Sequence, residues 1–146
     1  MWIGSQKAME ALGVKIAACL RAGDCVFLIG DLGAGKSVLA RAIGRALGVA
    51  GPMPSPSFGL LIPHEGRIRV NHFDLYRLED YEEFLAAGLE EALLDECAVS
   101  LVEWPEILGG QAPVPRLEVR IAHTGEPDAR EVSLLCIGME DRSCEF

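Results

Sequence analysis

The sequence predicts an α/β fold, and three observations carry that reading. Cys25-Val26-Phe27-Leu28-Ile29 is a five-residue apolar run of the kind that forms a buried strand. It runs directly into Gly30-Asp31-Leu32-Gly33-Ala34-Gly35-Lys36-Ser37, which fits the phosphate-loop pattern G-x-x-x-x-G-K-[ST]. Apolar residues then recur at helical spacing from Val38 to Leu47, and Gly48 supplies a stop signal. A second apolar strand, Ala98 to Val102, ends in an acid, Glu103, followed by Trp104-Pro105.

The remaining elements follow in order. Met9, Leu12, Ile16, Ala17 and Leu20 recur at three and four, so residues 6 to 21 read as an amphipathic helix ended by Gly23. After the loop and its helix comes Gly51-Pro52-Met53-Pro54-Ser55-Pro56-Ser57, where alternate prolines forbid helix and strand interior alike. This stretch is either a plain connector or a switch-like loop near the phosphates. Phe58 to Ile62 is a strand, His64-Glu65-Gly66 a turn, and Arg67 to Phe73 an alternating half-buried strand. Together they form a β-hairpin, with Asp74 at its end. Residues 79 to 96 give two short helical pieces broken at Gly88, and their many acids read as a solvated face. Gly109 to Pro113 is loop. Leu117 to Ile121 and Val132 to Ile137 alternate and pair across a turn at Gly125 to Asp128, and Asp141 to Phe146 reads as a polar, frayed end.

Composition bounds the function classes. With 146 residues, half of them hydrophobic, the chain reads as one domain, residues 1 to 146. No run reaches the roughly 20 apolar residues of a membrane span, and the first residues lack a secretory pattern. The net charge of −9 argues against direct binding of DNA or RNA, which normally requires a basic face. Five scattered cysteines, none in a C-x-x-C pair, predict neither disulfides nor a zinc site and fit a reducing cytoplasm. His64, His72 and His123 show no ligand spacing.

The glycine-rich loop predicts a nucleoside triphosphate site. Its backbone N–H groups and the helix start converge on one point and attract phosphate. Lys36 is placed to reach the β- and γ-phosphates, and the Ser37 hydroxyl to ligate Mg²⁺. An apolar strand ending in Glu103 fits the companion pattern, in which the acid meets Mg²⁺ directly or through water. Asp74 follows an apolar strand and is the best candidate to position or deprotonate the attacking water. His72 lies two residues earlier, on the same strand face, and is either structural or part of that cleft. Trp104 is either core or a docking reporter. No arginine finger is evident: Arg41 and Arg45 sit on the loop's helix, and Arg77 is the nearer candidate. Slow hydrolysis by the isolated chain is therefore expected, since such a charge supplied in trans is worth ~10³ or more in rate.

The loop at 30 to 37, Ser55-Pro56-Ser57-Phe58, His72-Phe73-Asp74-Leu75-Tyr76-Arg77-Leu78 and Val102-Glu103-Trp104-Pro105 occur in that order. In this the chain resembles the bacterial TsaE (YjeE) family, small P-loop ATPases needed to make threonylcarbamoyladenosine in tRNA. The resemblance runs from about Leu12 to the last strand pair. It implies an α/β, P-loop NTPase-like three-layer fold with a mixed parallel/antiparallel sheet. It implies ATP phosphates on Asp31, Leu32, Gly33, Ala34, Gly35, Lys36 and Ser37, and Mg²⁺ near Ser37 and Glu103. Asp74 and Lys36 would be the catalytic residues. Arg130 and the start of the first helix become candidates for the adenine. The implied partners are TsaD and TsaB, with tRNA met only through their complex, and an ATP cycle that resets that complex. The family usually has Thr where Ser37 and Ser57 stand, and both swaps keep the hydroxyl.

Three other readings compete. A small-molecule kinase usually carries an arginine-rich lid, whereas residues 79 to 96 contain no Arg or Lys. A GTPase would read guanine through N-K-x-D, which Asn71-His72-Phe73-Asp74 echoes without the lysine. A nucleotide-sensing module that does not hydrolyse is separated from an ATPase by turnover alone.

Overall fold

The computed structural model describes residues 1–146. Its elements are β1 (Trp2–Ile3), α1 (Gln6–Cys19), β2 (Cys25–Ile29), α2 (Lys36–Ala46), β3 (Leu61–His64), β4 (Arg69–Asp74), α3 (Tyr81–Ala86), α4 (Glu90–Leu93), β5 (Ala98–Glu103), a 3₁₀ segment (Pro105–Gln111), β6 (Arg116–His123) and β7 (Arg130–Ile137). The seven strands form one sheet in the order β1-β7-β6-β2-β5-β4-β3. β2 runs parallel to both β5 and β6, and β4 runs parallel to β5. The β3–β4, β6–β7 and β1–β7 pairs are antiparallel. The mixed α/β sheet is therefore as expected. No helix is long and apolar enough to cross a membrane.

Alternation along the strands splits the core between the two faces of the sheet. Val26 and Leu28 join Leu12 and Ile16 of α1, Leu39 and Ile43 of α2, and Val70, Val99, Leu101 and Val119 on one face. Cys25 and Phe27 join Phe73, Val102, Phe84, Leu93 and Leu108 on the other. Burial pushes the Cys25 thiol far above its usual range. Local chemistry fixes the helix ends. The Ser5 hydroxyl accepts from the Ala8 N–H (3.1 Å) at the start of α1, and the Asp80 carboxylate accepts from the Glu83 N–H (2.9 Å) at the start of α3. Helices α1 and α2 approach so closely at Gly13 that a Cβ there would sit 2.6 Å from the Ala42 Cβ.

Four expectations need correction. First, β3 begins at Leu61, not Phe58. The Gly59 and Leu60 amides both donate to the Pro56 carbonyl (3.1 and 2.7 Å), so the chain turns there, with Leu60 at φ 65°. Phe58 is left 86% exposed. Second, β1 and the 3₁₀ segment were not anticipated: a two-residue strand carries no periodicity, and Gly109-Gly110 reads as loop. Third, the C-terminal end is not frayed. Both terminal guanidinium nitrogens of Arg142 donate to the Asp24 carboxylate, whose Oδ2 also accepts from the Arg21 N–H at 2.7 Å. Cys144 and Phe146 pack on the α1 core. Fourth, Cys19 and Cys144 are disulfide-bonded, with Cα atoms 5.4 Å apart across 125 positions of sequence. The same tail contacts bring the two cysteines together, a convergence that scattered spacing could not reveal.

Candidate functional site

The site is built at the C-terminal ends of the parallel strands, where β2 opens into the glycine-rich loop and β4 and β5 end in acids. Gly30 is required by crowding, because a Cβ there would meet the Ile121 carbonyl oxygen of β6 at 2.5 Å. Gly35 is required by conformation: it stands at the N-terminus of α2 with φ 112°, a region disfavoured for residues with a Cβ. Lys36 and Ser37 are then the first two residues of α2, where the helix's free N–H groups and dipole meet.

Lys36 is 5% exposed. Its ammonium donates to the Gly30 and Asp31 carbonyls, at 2.5 and 2.8 Å, and lies 4.2 Å from the centre of the Trp104 ring. Burial lowers its pKa, and the surrounding carboxylates of Glu103, Glu106, Asp74 and Asp31 oppose that shift. Trp104 adopts a left-handed conformation (φ 58°, ψ 56°) and meets Tyr76 with ring centres 4.8 Å apart. That conformation is uncommon for a residue with a side chain, and it turns the chain sharply after Glu103.

Asp74 and Glu103 are register partners on β4 and β5. Alternation aims both at the α1–α2 face, together with His72. The Ser37 hydroxyl donates to Glu103 Oε1 at 3.0 Å. Glu103 Oε2 lies 2.7 Å from His72 Nε2, and both side chains are buried. Asp74 Oδ1 accepts from the Tyr76 N–H (3.0 Å), and its Oδ2 accepts from the Ser57 hydroxyl (3.2 Å). Ser57 is itself 2.6 Å from Ser55. So the proline-rich loop reaches Asp74 through the Ser57 hydroxyl, with Ser55 behind it.

These groups line a cavity of about 350 Å³ bounded by residues 32 to 38, Ser55, Ser57, Asp74, Glu103 and Trp104. A second hollow of about 170 Å³ lies behind the loop, against Ser5, Gln6, Met9, Val38, Asp128 and Arg130. Arg130 faces that hollow, but its guanidinium is committed to backbone. It donates to the carbonyls of Ala34 (3.0 Å), Gly33 (3.2 Å), Pro127 (2.7 Å) and Ala129 (2.9 Å). It thereby clamps the glycine-rich loop from β7. His123 Nε2 approaches the Leu32 carbonyl at 3.2 Å from the end of β6. No arginine lines the larger cavity. Arg77 stacks on Phe58 at 4.3 Å, and Arg41 and Arg45 face a separate hollow beside residues 51 to 54.

Sequence reasoning brought Asp31 to Ser37, Asp74 and Glu103 to one place; the structure gathers Leu32 to Ser37, Asp74 and Glu103 around one cavity, while Asp31 is exposed and meets Lys36 through its backbone carbonyl. It missed three links: the Ser57–Asp74 bond, the His72–Glu103 pair and the clamp by Arg130 and His123. Alternation had put His72 on the face of Asp74, which was a usable signal for the second. The clamp had no signal in the sequence.

The residues fit a nucleotide-bound Mg²⁺. A hydroxyl and a carboxylate meet at 3.0 Å beside the helix start, and no group of three or more His, Cys, Asp or Glu side chains is arranged to hold a metal ion by itself. Mg²⁺ held mainly by phosphates and water needs only one or two protein oxygens.

Comparison with known proteins adds a family. A model described as threonylcarbamoyl adenosine biosynthesis protein TsaE matches residues 3–132. The chain is 35% identical over 130 residues to the tRNA threonylcarbamoyladenosine biosynthesis protein TsaE of Bacillus subtilis, covering 88% of this chain and 80% of the relative. It is 40% identical over 129 residues to the Streptomyces coelicolor protein of the same name, covering 85% of each. Its backbone matches the crystal structure of YdiB from Bacillus subtilis with a TM-score of 0.78 and 27% identity, over 94% of this chain and 84% of that one.

Proposed function

This chain belongs to the TsaE family of tRNA threonylcarbamoyladenosine biosynthesis, and on that premise we propose that it is the ATP-hydrolysing subunit of that pathway. The whole chain acts as one ATPase domain in the cytoplasm. ATP phosphates lie along Asp31 to Ser37, and the adenine end extends toward the hollow bounded by Met9 and Arg130. The observation that carries this reading is the pair of neighbouring carboxylates, Asp74 and Glu103, facing Ser37 and Lys36 across one cavity. Such a grouping suits phosphoryl transfer to water, which needs charge neutralised and a nucleophile aligned.

Each residue has a distinct task. The loop amides and the α2 start cradle the phosphates. Lys36 leaves the Gly30 and Asp31 carbonyls and follows the γ-phosphate. Ser37 and Glu103 would hold Mg²⁺, which would supply positive charge against the phosphates. Asp74 orients the attacking water and takes its proton. Ser57 holds one Asp74 oxygen, leaving the carboxylate aimed into the cavity.

The absence of an arginine from the cavity favours weak hydrolysis alone and faster hydrolysis when a partner completes the site. The proposed partner is the TsaD–TsaB pair, reset by each ATP cycle, with tRNA reached only through it. The test is ATP hydrolysis by the purified chain, alone and with TsaD, TsaB and tRNA, beside an Asp74→Ala variant. Stimulation by the partners and its loss in the variant are expected. ATP binding without turnover under every condition would overturn the ATPase reading and leave a nucleotide-gated binding module.

A further inference from the structure

We propose that His72 is a positioning residue for the metal-binding carboxylate: it holds one oxygen of Glu103 so that the other faces Ser37 and the cation. The inference rests on the reading of Glu103 as a Mg²⁺ ligand. His72 sits mid-strand in β4 and is completely buried. Its Nε2 lies 2.7 Å from Glu103 Oε2. Its Nδ1 is buried without a partner. An N–H at Nδ1 would be an unsatisfied buried donor, so the network assigns the ring proton to Nε2, where it donates to the carboxylate.

The two oxygens of Glu103 therefore have separate duties. Oε2 is fixed from behind by His72, and Oε1 points forward to the Ser37 hydroxyl at 3.0 Å. Without the imidazole, Oε2 becomes a buried acceptor with no donor. The carboxylate would then rotate to share the Ser37 hydroxyl or draw in water, and Oε1 would leave the cation's position. Partners behind a ligand of this kind commonly set metal affinity by 10–100-fold. His72 is separate from the water-aligning task given to Asp74, although both lie on one strand face.

The test uses Mn²⁺ in place of Mg²⁺, read by electron paramagnetic resonance with a non-hydrolysable ATP analogue bound. His72→Leu keeps an apolar volume and removes the donor, and His72→Gln returns an N–H at similar reach. Expected is a loss of Mn²⁺ affinity of about 10–100-fold in His72→Leu, recovery to within a few-fold in His72→Gln, and unchanged analogue affinity without metal. Wild-type Mn²⁺ affinity in His72→Leu, or no recovery in His72→Gln, overturns the inference. Glu103→Gln separates the two claims: if it weakens Mn²⁺ binding while His72→Leu does not, the metal reading stands and the positioning role falls. If Glu103→Gln binds Mn²⁺ as wild type does, both fall. Should His72→Leu not fold, the wild-type protein decides. A slowly exchanging downfield imidazole N–H resonance, displaced in Glu103→Gln, is expected, and its absence overturns the proposal.

Discussion

Replacing Arg142 with methionine should remove a large part of the stability of this protein, although the residue lies only four positions before Phe146. Its side chain is 8% exposed and that of Asp24 is 1% exposed, so solvent screens their contact little. Asp24 holds the guanidinium in its charged form, through hydrogen bonds first and charge second, against the cost of burial. Methionine keeps most of the apolar stem and deletes both donors to the carboxylate. Asp24 is then left with one donor, the Arg21 N–H. Breaking a buried ion pair from one side costs about 3–5 kcal/mol. The remaining amide places this case near the lower end, about 3 kcal/mol. For a chain of this size that corresponds to a fall in Tm of roughly 6–12 °C. The assay is urea unfolding of wild type, Arg142→Met, Asp24→Asn and the double variant, all with reductant so that the Cys19–Cys144 bond does not constrain the unfolded chain. Asp24→Asn in the Arg142→Met background should recover at least about 1 kcal/mol, because the orphaned charge is gone. A loss under 1 kcal/mol, or strictly additive variants, would refute the claim that this pair anchors the tail.

Three further outcomes are expected. Gly13→Ala should destabilise by about 1–3 kcal/mol in thermal unfolding, since its Cβ would press on Ala42 and the gain in helix propensity is only about 1 kcal/mol. Burial first, and the neighbouring His72 second, lower the pKa of His64. Above about pH 6.5 the ring is neutral folded or unfolded, and below it the unfolded chain takes the proton first. Stability should therefore decline as pH falls from that point, and His64→Gln should flatten this limb of a pH series of denaturant midpoints. Asp74→Asn should lower kcat for ATP by about 10²–10⁴-fold while leaving nucleotide affinity, measured by calorimetry, within a few-fold of wild type.

What could be read from the chain alone follows from distance along it. The strand, loop and helix at 25 to 47 are contiguous, so hydrophobic period and glycine placement expose them together. Asp74 and Glu103 were legible because each ends an apolar strand, and two such strands beside the same loop must bring their acids to one end of the sheet. The turn at Pro56 to Leu60 was less legible, because Phe58-Gly59-Leu60 looks strand-like until the left-handed Leu60 is known. The Cys19–Cys144 bond, the Arg142–Asp24 pair and the grip of Arg130 on the loop join residues about a hundred or more positions apart. They arise only once the sheet order is set, and no local pattern of residues announces them.

That grip has a consequence for the order in which the protein is made. The glycine-rich loop leaves the ribosome early, whereas Arg130, which fastens the Ala34 carbonyl, is 96 residues behind it. Strand β6, which flanks β2 and crowds Gly30, arrives almost as late. At about 5–20 residues per second the loop waits roughly 5–20 s for its clamp. A nascent chain stalled before residue 116 would carry the full phosphate-loop motif with neither β6 against Gly30 nor Arg130 on the Ala34 carbonyl. The loop's backbone is therefore held by a side chain that arrives only with the last strand of the sheet.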